Sequence, residues 1–264
     1  MRRLRIAIVL AVATCICATT AATAMGEKVF RATRLPTPIS EAAPGKTVGN
    51  GVPKEGNPRA QAFQFGPFKI ACEKAHATGI VNKETFKDFS IQIKFGKCLT
   101  EATFNGTSKF IGGLRTSFNE GKAIGFVYHI NNFAEVGEAP EGTEVTISGG
   151  EANFKISGKI CKINWPSQTV PAKAEKEPEG EFSAAVYSNE EVPNAFPKKF
   201  PSGFQTKLLI ANEFKGMSYE FEEGQCVGEG GFEEEAKKTE GKTGKYIGTL
   251  REEVGGGNLE VAEI

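Results

Sequence analysis

The stretch "DFSIQIKF", Asp88 to Phe95, puts Phe89, Ile91, Ile93 and Phe95 on one side of an extended chain and Ser90, Gln92 and Lys94 on the other. A period of two marks a strand with one buried face, and a one-residue slip would expose all four apolar side chains. Runs of the same texture follow: "KAIGFVYHI" from Lys122, "TEVTISG" from Thr143, "ANFKISGKICKINW" from Ala152, "FSAAVY" from Phe182, "QTKLLIANEF" from Gln205, "MSYEF" from Met217 and "KYIGTL" from Lys245. They are β-branched or aromatic and are punctuated by Gly, Pro or Asn-Gly. No apolar pattern of period 3.6 persists for three turns. The reading is all-β: an antiparallel β-sandwich or barrel-like assembly of short strands.

Working outward, residues 61–254 form this β-rich domain, either one large sandwich or two modules, 61–137 and 138–254, parting near "AEVGEAPEG", Ala134 to Gly142. Residues 255–264 read as a C-terminal tail. On the amino-terminal side, "RATRLPTPISEAAPGKTVGNGVPKEGNPR", Arg31 to Arg59, is dense in Pro, Gly, Thr and Ser. Such a composition buries too little apolar surface to offset the entropy of ordering, so residues 25–60 are expected to be a disordered arm. Residues 1–24 read as a signal peptide: Arg2, Arg3 and Arg5, an apolar run from Ile6 to about Cys17, and Ala22-Thr23-Ala24 as the cleavage site. The expected localisation is secreted, with no membrane association after cleavage.

Losing the leader leaves 29 basic against 32 acidic residues, a formal charge of −3. A near-neutral chain lacks the basic excess that displaces counterions from nucleic acid, so nucleic acid is not an expected partner. The six cysteines fall to four, Cys72, Cys98, Cys161 and Cys226, an even number in an oxidising compartment. Four cysteines allow three pairings. Cys72 and Cys98 each close a strand-like run whose intervening segment can return the chain to the same end of a sheet, which favours Cys72 with Cys98 and leaves Cys161 with Cys226.

The catalytic inventory is thin. The two histidines, His76 and His129, are polar-face strand residues in this reading; a Ser-His-Asp arrangement would have to join one of them to Asp88, the sole aspartate, or to a glutamate, and no Gly-x-Ser-x-Gly elbow offers a serine. A lone histidine without a spaced partner does not make a zinc site. The glutamate-rich segment Glu222 to Lys245 lacks the Asp, Asn and Gly spacing of a calcium loop and reads as a solvated connection. Gly241-Lys242-Thr243 and Gly45-Lys46-Thr47 have Ala236 and Ser40 where a phosphate loop needs glycine. Asn105-Gly106-Thr107 is a glycosylation pattern, but Asn-Gly there reads first as a hairpin turn. No catalytic residue, metal ligand or cofactor is assigned.

One Trp and four Tyr against 20 Phe compose a core more than a sugar-stacking platform. In "GKICKINWPSQTVP", Gly158 to Pro171, alternation sets Trp165 on the apolar face with Cys161 and Ile163, so Cys161 is expected to be a staple packed against a ring.

"FKIACEKAHATG", "FSIQIKFGKCL", the cysteine-to-proline-glutamine segment ending "WPSQTVP", the Lys-Gly-x-x-Tyr strand in "LLIANEFKGMSYEFEEGQC" and the closing "GKYIGTL" together resemble a set of secreted β-rich, disulfide-containing proteins of soil actinobacteria. The likeness spans about Phe65 to Val254 and lacks the middle Asn-Gly-Cys cysteine of many members. It implies export, β structure and disulfides, and no activity. The expectation is a secreted, non-enzymatic protein with an extracellular or cell-surface binding or structural role and a cell-surface or polysaccharide ligand. The alternative is a secreted polysaccharide hydrolase using two facing glutamates.

Overall fold

A computed structural model describes residues 27–35, 37–54, 56–102, 114–130, 143–156, 159–172, 184–193, 204–222 and 241–264. Among these, seventeen strands are placed. The amino-terminal half contributes β1 (Lys28–Thr33), β2 (Gly45–Gly51), β3 (Gln61–Phe65), β4 (Phe68–Val81), β5 (Thr85–Phe86), β6 (Asp88–Ala102), β7 (Leu114–Arg115), β8 (Ser117–Phe118) and β9 (Ile124–His129). The carboxy-terminal half contributes β10 (Thr143–Ile147), β11 (Gly150–Ile156), β12 (Lys159–Trp165), β13 (Gln168–Ala172), β14 (Ala184–Pro193), β15 (Phe204–Phe221), β16 (Gly241–Val254) and β17 (Asn258–Glu263). All their pairings are antiparallel.

Four long strands, β4, β6, β15 and β16, carry the architecture. At one end they close a ring. β6 pairs with β4, β4 with β3, β3 with β16, β16 with β15, β15 with β12 and β12 with β11. The gap between β11 and β6 is bridged by a single short segment, since β8 pairs with β11 and β7, just before it, pairs with β6. Closure leaves this part of the sheet without an open edge. Inward side chains meet across the ring: Phe63 packs on Phe95 and Phe118, Phe65 on Trp165, and Phe68 on Phe154, with centroids 4.7–5.3 Å apart.

At their other ends the same strands take different partners. β6 pairs with β9, β9 with β10, and β10 with β13, while β4 pairs with β2, β2 with β16, and β15 with β14. A separate sheet in the order β17-β1-β5 contributes Phe30, whose ring meets Phe86, Phe89 and Tyr187. Phe89, Ile91, Ile93 and Phe95 are all buried, as their alternation requires.

Several expectations need correction. Residues within the expected arm are folded: β1 pairs along its length with β17, and β2 lies between β4 and β16. β2, "GKTVGNG", buries almost nothing large. Its ladder hydrogen bonds to two neighbours hold it, and its glycines make room for side chains from across the sheet, so composition reads as linker what is an interior strand. The expected tail contains β17, whose Leu259 is fully buried. The assembly is not built only of short strands: "QTKLLIANEF" and "MSYEF" are one strand of 18 residues, joined by a bulge at Gly216 (φ 84) where a break was expected. Cys72 and Cys98 do not end their strands, which run on through them. β9 and β10 flank the expected break at residues 134–142 and pair with each other. The signal peptide (1–24), the Asn105-Gly106 turn and Cys226 lie outside the described residues.

Candidate functional site

Cys72 stands directly opposite Cys98 in the β4–β6 register, with Cα atoms 4.0 Å apart, and the two form a disulfide. Cys161 is fully buried and also disulfide-bonded, so neither it nor the other pair offers a thiolate nucleophile. Trp165 is 2% exposed and lies over Gly150, its partner in the β11–β12 register. A Cβ on Gly150 would come within 2.4 Å of the indole, and the indole Nε1 donates to the Ser148 carbonyl at 3.2 Å. A ring this enclosed cannot serve as a sugar platform.

Two of the segments quoted from the sequence, "WPSQTVP" and "GKYIGTL", are structural joints. Gln168, in "WPSQ", donates Nε2–H to the Ser218 carbonyl (3.0 Å) and accepts the Ser218 N–H at its side-chain oxygen (2.7 Å). It thereby ties β13 to β15 beside the Gly216 bulge, as a backbone pair would. In the closing "YIGT", the Tyr246 hydroxyl donates to Gln61 Oε1 (2.8 Å) and Gln61 Nε2 donates to the Thr249 carbonyl (2.9 Å). Gly248 is what admits that amide: a Cβ there would sit 2.1 Å from Gln61 Oε1.

Both histidines lie on outward strand faces. His76 Nδ1 donates to the Asn50 side-chain oxygen at 3.2 Å. His129 Nδ1 donates to Asp88 at 2.9 Å, and its Nε2 lies 3.2 Å from the Thr146 hydroxyl, which in turn lies 3.0 Å from that of Thr169. Acid, imidazole and hydroxyl thus stand in catalytic order, joining His129 to the one aspartate. All four residues, however, are strand residues of β6, β9, β10 and β13, and Thr146 Oγ rises from mid-strand, where neighbouring backbone N–H groups are committed to the ladder rather than to an oxyanion. The arrangement works as a cross-strand hydrogen-bond ladder.

Among the described residues, one acid is buried in the interior. Glu252 is fully buried, both carboxyl oxygens lack a hydrogen-bond partner among the described residues, and burial, reinforced by the neighbouring Glu253 charge, pushes its pKa up to about 8. At neutral pH it is a protonated, uncharged acid. Five glutamates on the outer face are instead paired with lysines: Lys69–Glu101, Lys97–Glu73, Lys162–Glu151, Lys207–Glu253 and Lys245–Glu213. No group of three or more His, Cys, Asp or Glu suited to a metal ion occurs among the described residues.

The outer face is broken at β8–β11–β12 by a groove of about 420 Å³ lined by Arg115, Ser117, Asn153, Phe154, Lys155 and Ile160. Asn153 faces Ser117 and Lys155 faces Ile160 in the strand registers, and Ile160 is 50% exposed. Sequence reasoning did not single out these residues. Arg115 lies in a strand of two residues, too short to show a period, and Lys155 and Ile160 read only as the solvated side of a strand.

No protein-family model, curated protein or solved structure matches the chain.

Proposed function

We propose that the chain is an exported binding protein of the extracellular space or cell surface, without catalytic activity, related to the secreted actinobacterial proteins it resembles. The observation that carries this reading is the filled interior. Aromatic rings occupy the closed ring, and the buried acid Glu252 is enclosed, so contact with any partner falls to the outer face, where the groove opens. Lysine–glutamate pairs on the outer face suit a sheet in water, the reverse of the apolar belt of a membrane-spanning barrel. The hydrolase alternative needs two glutamates free to face a glycosidic bond, and the outer-face glutamates named above are held by lysines.

The reading is tested by incubating purified chain with isolated cell-wall polysaccharide. Co-sedimentation without new reducing ends is expected. Steady release of reducing ends, abolished by one glutamate substitution, would instead establish the hydrolase. Amino-terminal sequencing of protein recovered from culture medium, with a start near Met25 expected, tests export.

A further inference from the structure

Two cations, Arg115 and Lys155, line one groove of the outer face. The β8–β11 pairing sets Ser117 opposite Asn153, and Arg115, two residues before Ser117, lines the same groove as Lys155, two residues after Asn153. Two cations sharing one groove repel each other. One position further over, on β12, Lys162 is held by Glu151 at 3.1 Å and Glu222 at 3.5 Å. Arg115 and Lys155 have no carboxylate partner among the described residues, and both are exposed on the groove that Ile160 also lines.

We propose that this groove is a binding site for an acidic saccharide, with the ligand's anionic group held between Arg115 and Lys155. The proposal rests on the surface-binding reading above and names its ligand class. An anion placed there converts a repulsive cation pair into two charge-assisted contacts, and the guanidinium can engage a carboxylate or phosphate through two parallel N–H donors. The Ser117 hydroxyl, which both donates and accepts, suits sugar hydroxyls, and the Asn153 side chain sets the polar side of the groove. Ile160 supplies an apolar surface for the C–H face of a ring, the part of a sugar that a purely cationic site would leave unmatched. The acid can be a uronate carboxylate or a phosphate on a polyol. Both give the same chemistry at Arg115 and Lys155.

The test is calorimetric titration of the mature chain with trigalacturonate, with a glycerol-phosphate trimer and with neutral maltotriose at two salt concentrations. Binding of one or both acidic probes is expected, weakened by salt, with maltotriose at least tenfold weaker. The two acidic arms distinguish the carboxylate source from the phosphate source. Arg115→Gln and Lys155→Gln should each weaken binding about tenfold, and Lys155→Glu should abolish it. Ile160→Ser should weaken it without changing its salt dependence, and Lys94→Glu, on another exposed strand face, should leave it unchanged. All these substitutions are on exposed side chains, and unchanged melting confirms intact folding. Failure of both acidic probes to bind, or affinity indifferent to Lys155→Glu, overturns the proposal. Binding to wall polysaccharide that survives Lys155→Glu overturns this site while leaving the surface-binding reading standing.

Discussion

The carboxyl group of Glu252 fills the space above Gly49, its partner in the β2–β16 register: a Cβ at Gly49 would lie 1.8 Å from Glu252 Oε1. Gly49→Ala should therefore force the buried acid out of place and destabilise the protein by about 1–3 kcal/mol, the usual range for overpacking. Denaturant melts of the two proteins check this, and an unchanged midpoint would remove Glu252 from that position.

The same acid makes stability pH-dependent. Its folded pKa, about 8, exceeds the 4.5 of an exposed glutamate, so the folded state keeps a proton that the unfolded state releases. Its contribution is fully present below about pH 4.5 and is lost as pH rises through 8, up to about 5 kcal/mol in all. Glu252→Gln should flatten the decline in stability between pH 5 and pH 9 and make the variant more stable than the parent at pH 9. Parallel melts at the two pH values decide it.

Trp165 and Gly150 form a second close pair. Trp165→Ala should cost about 3–5 kcal/mol, as for other buried aromatic truncations. Gly150→Ala should shift Trp165 fluorescence toward the red as the indole is displaced. Unaltered emission in that variant would mean the ring does not lie over the glycine.

The disulfide of Cys72 with Cys98, separated by 26 residues, contributes about 3.5 kcal/mol in the loop-closure model. We expect Cys161 to pair with Cys226, for about 4.3 kcal/mol on the same model. Non-reducing peptide mapping should recover both linked pairs, and Cys161→Ser should leave one free thiol at Cys226. A free Cys226 thiol in the parent protein would overturn the second pairing.

Because β1 and β2 are paired strands, limited proteolysis should not trim the chain back to Arg59 while leaving the core intact. Deleting residues 25–51 should remove the partners of β17, β4 and β16 and lower the melting temperature by several degrees. A truncated protein that melts with the parent would restore the arm reading.

What the sequence determined by itself was orientation. Period-two alternation in "DFSIQIKF" and in Cys161, Ile163, Trp165 told which side chains face inward, because alternation is a local property of an extended backbone. It could not name partners. Cys72 meets Cys98 only through the β4–β6 register, and residues 116–154 lie between the two cations that line the groove. β2 escaped notice because its place depends on hydrogen bonds to β4 and β16 and on glycines that leave room for Glu252, and neither feature has an apolar signature of its own. Between the adjacent Glu252 and Glu253, composition offers no means of choosing the buried one. Val254 and Leu250 face the core, so alternation along β16 carries Glu252 inward with them, and the cavity over Gly49 makes that tolerable. Register is a sum over many weak backbone and packing terms from distant segments, so it is decided only when the whole sheet closes.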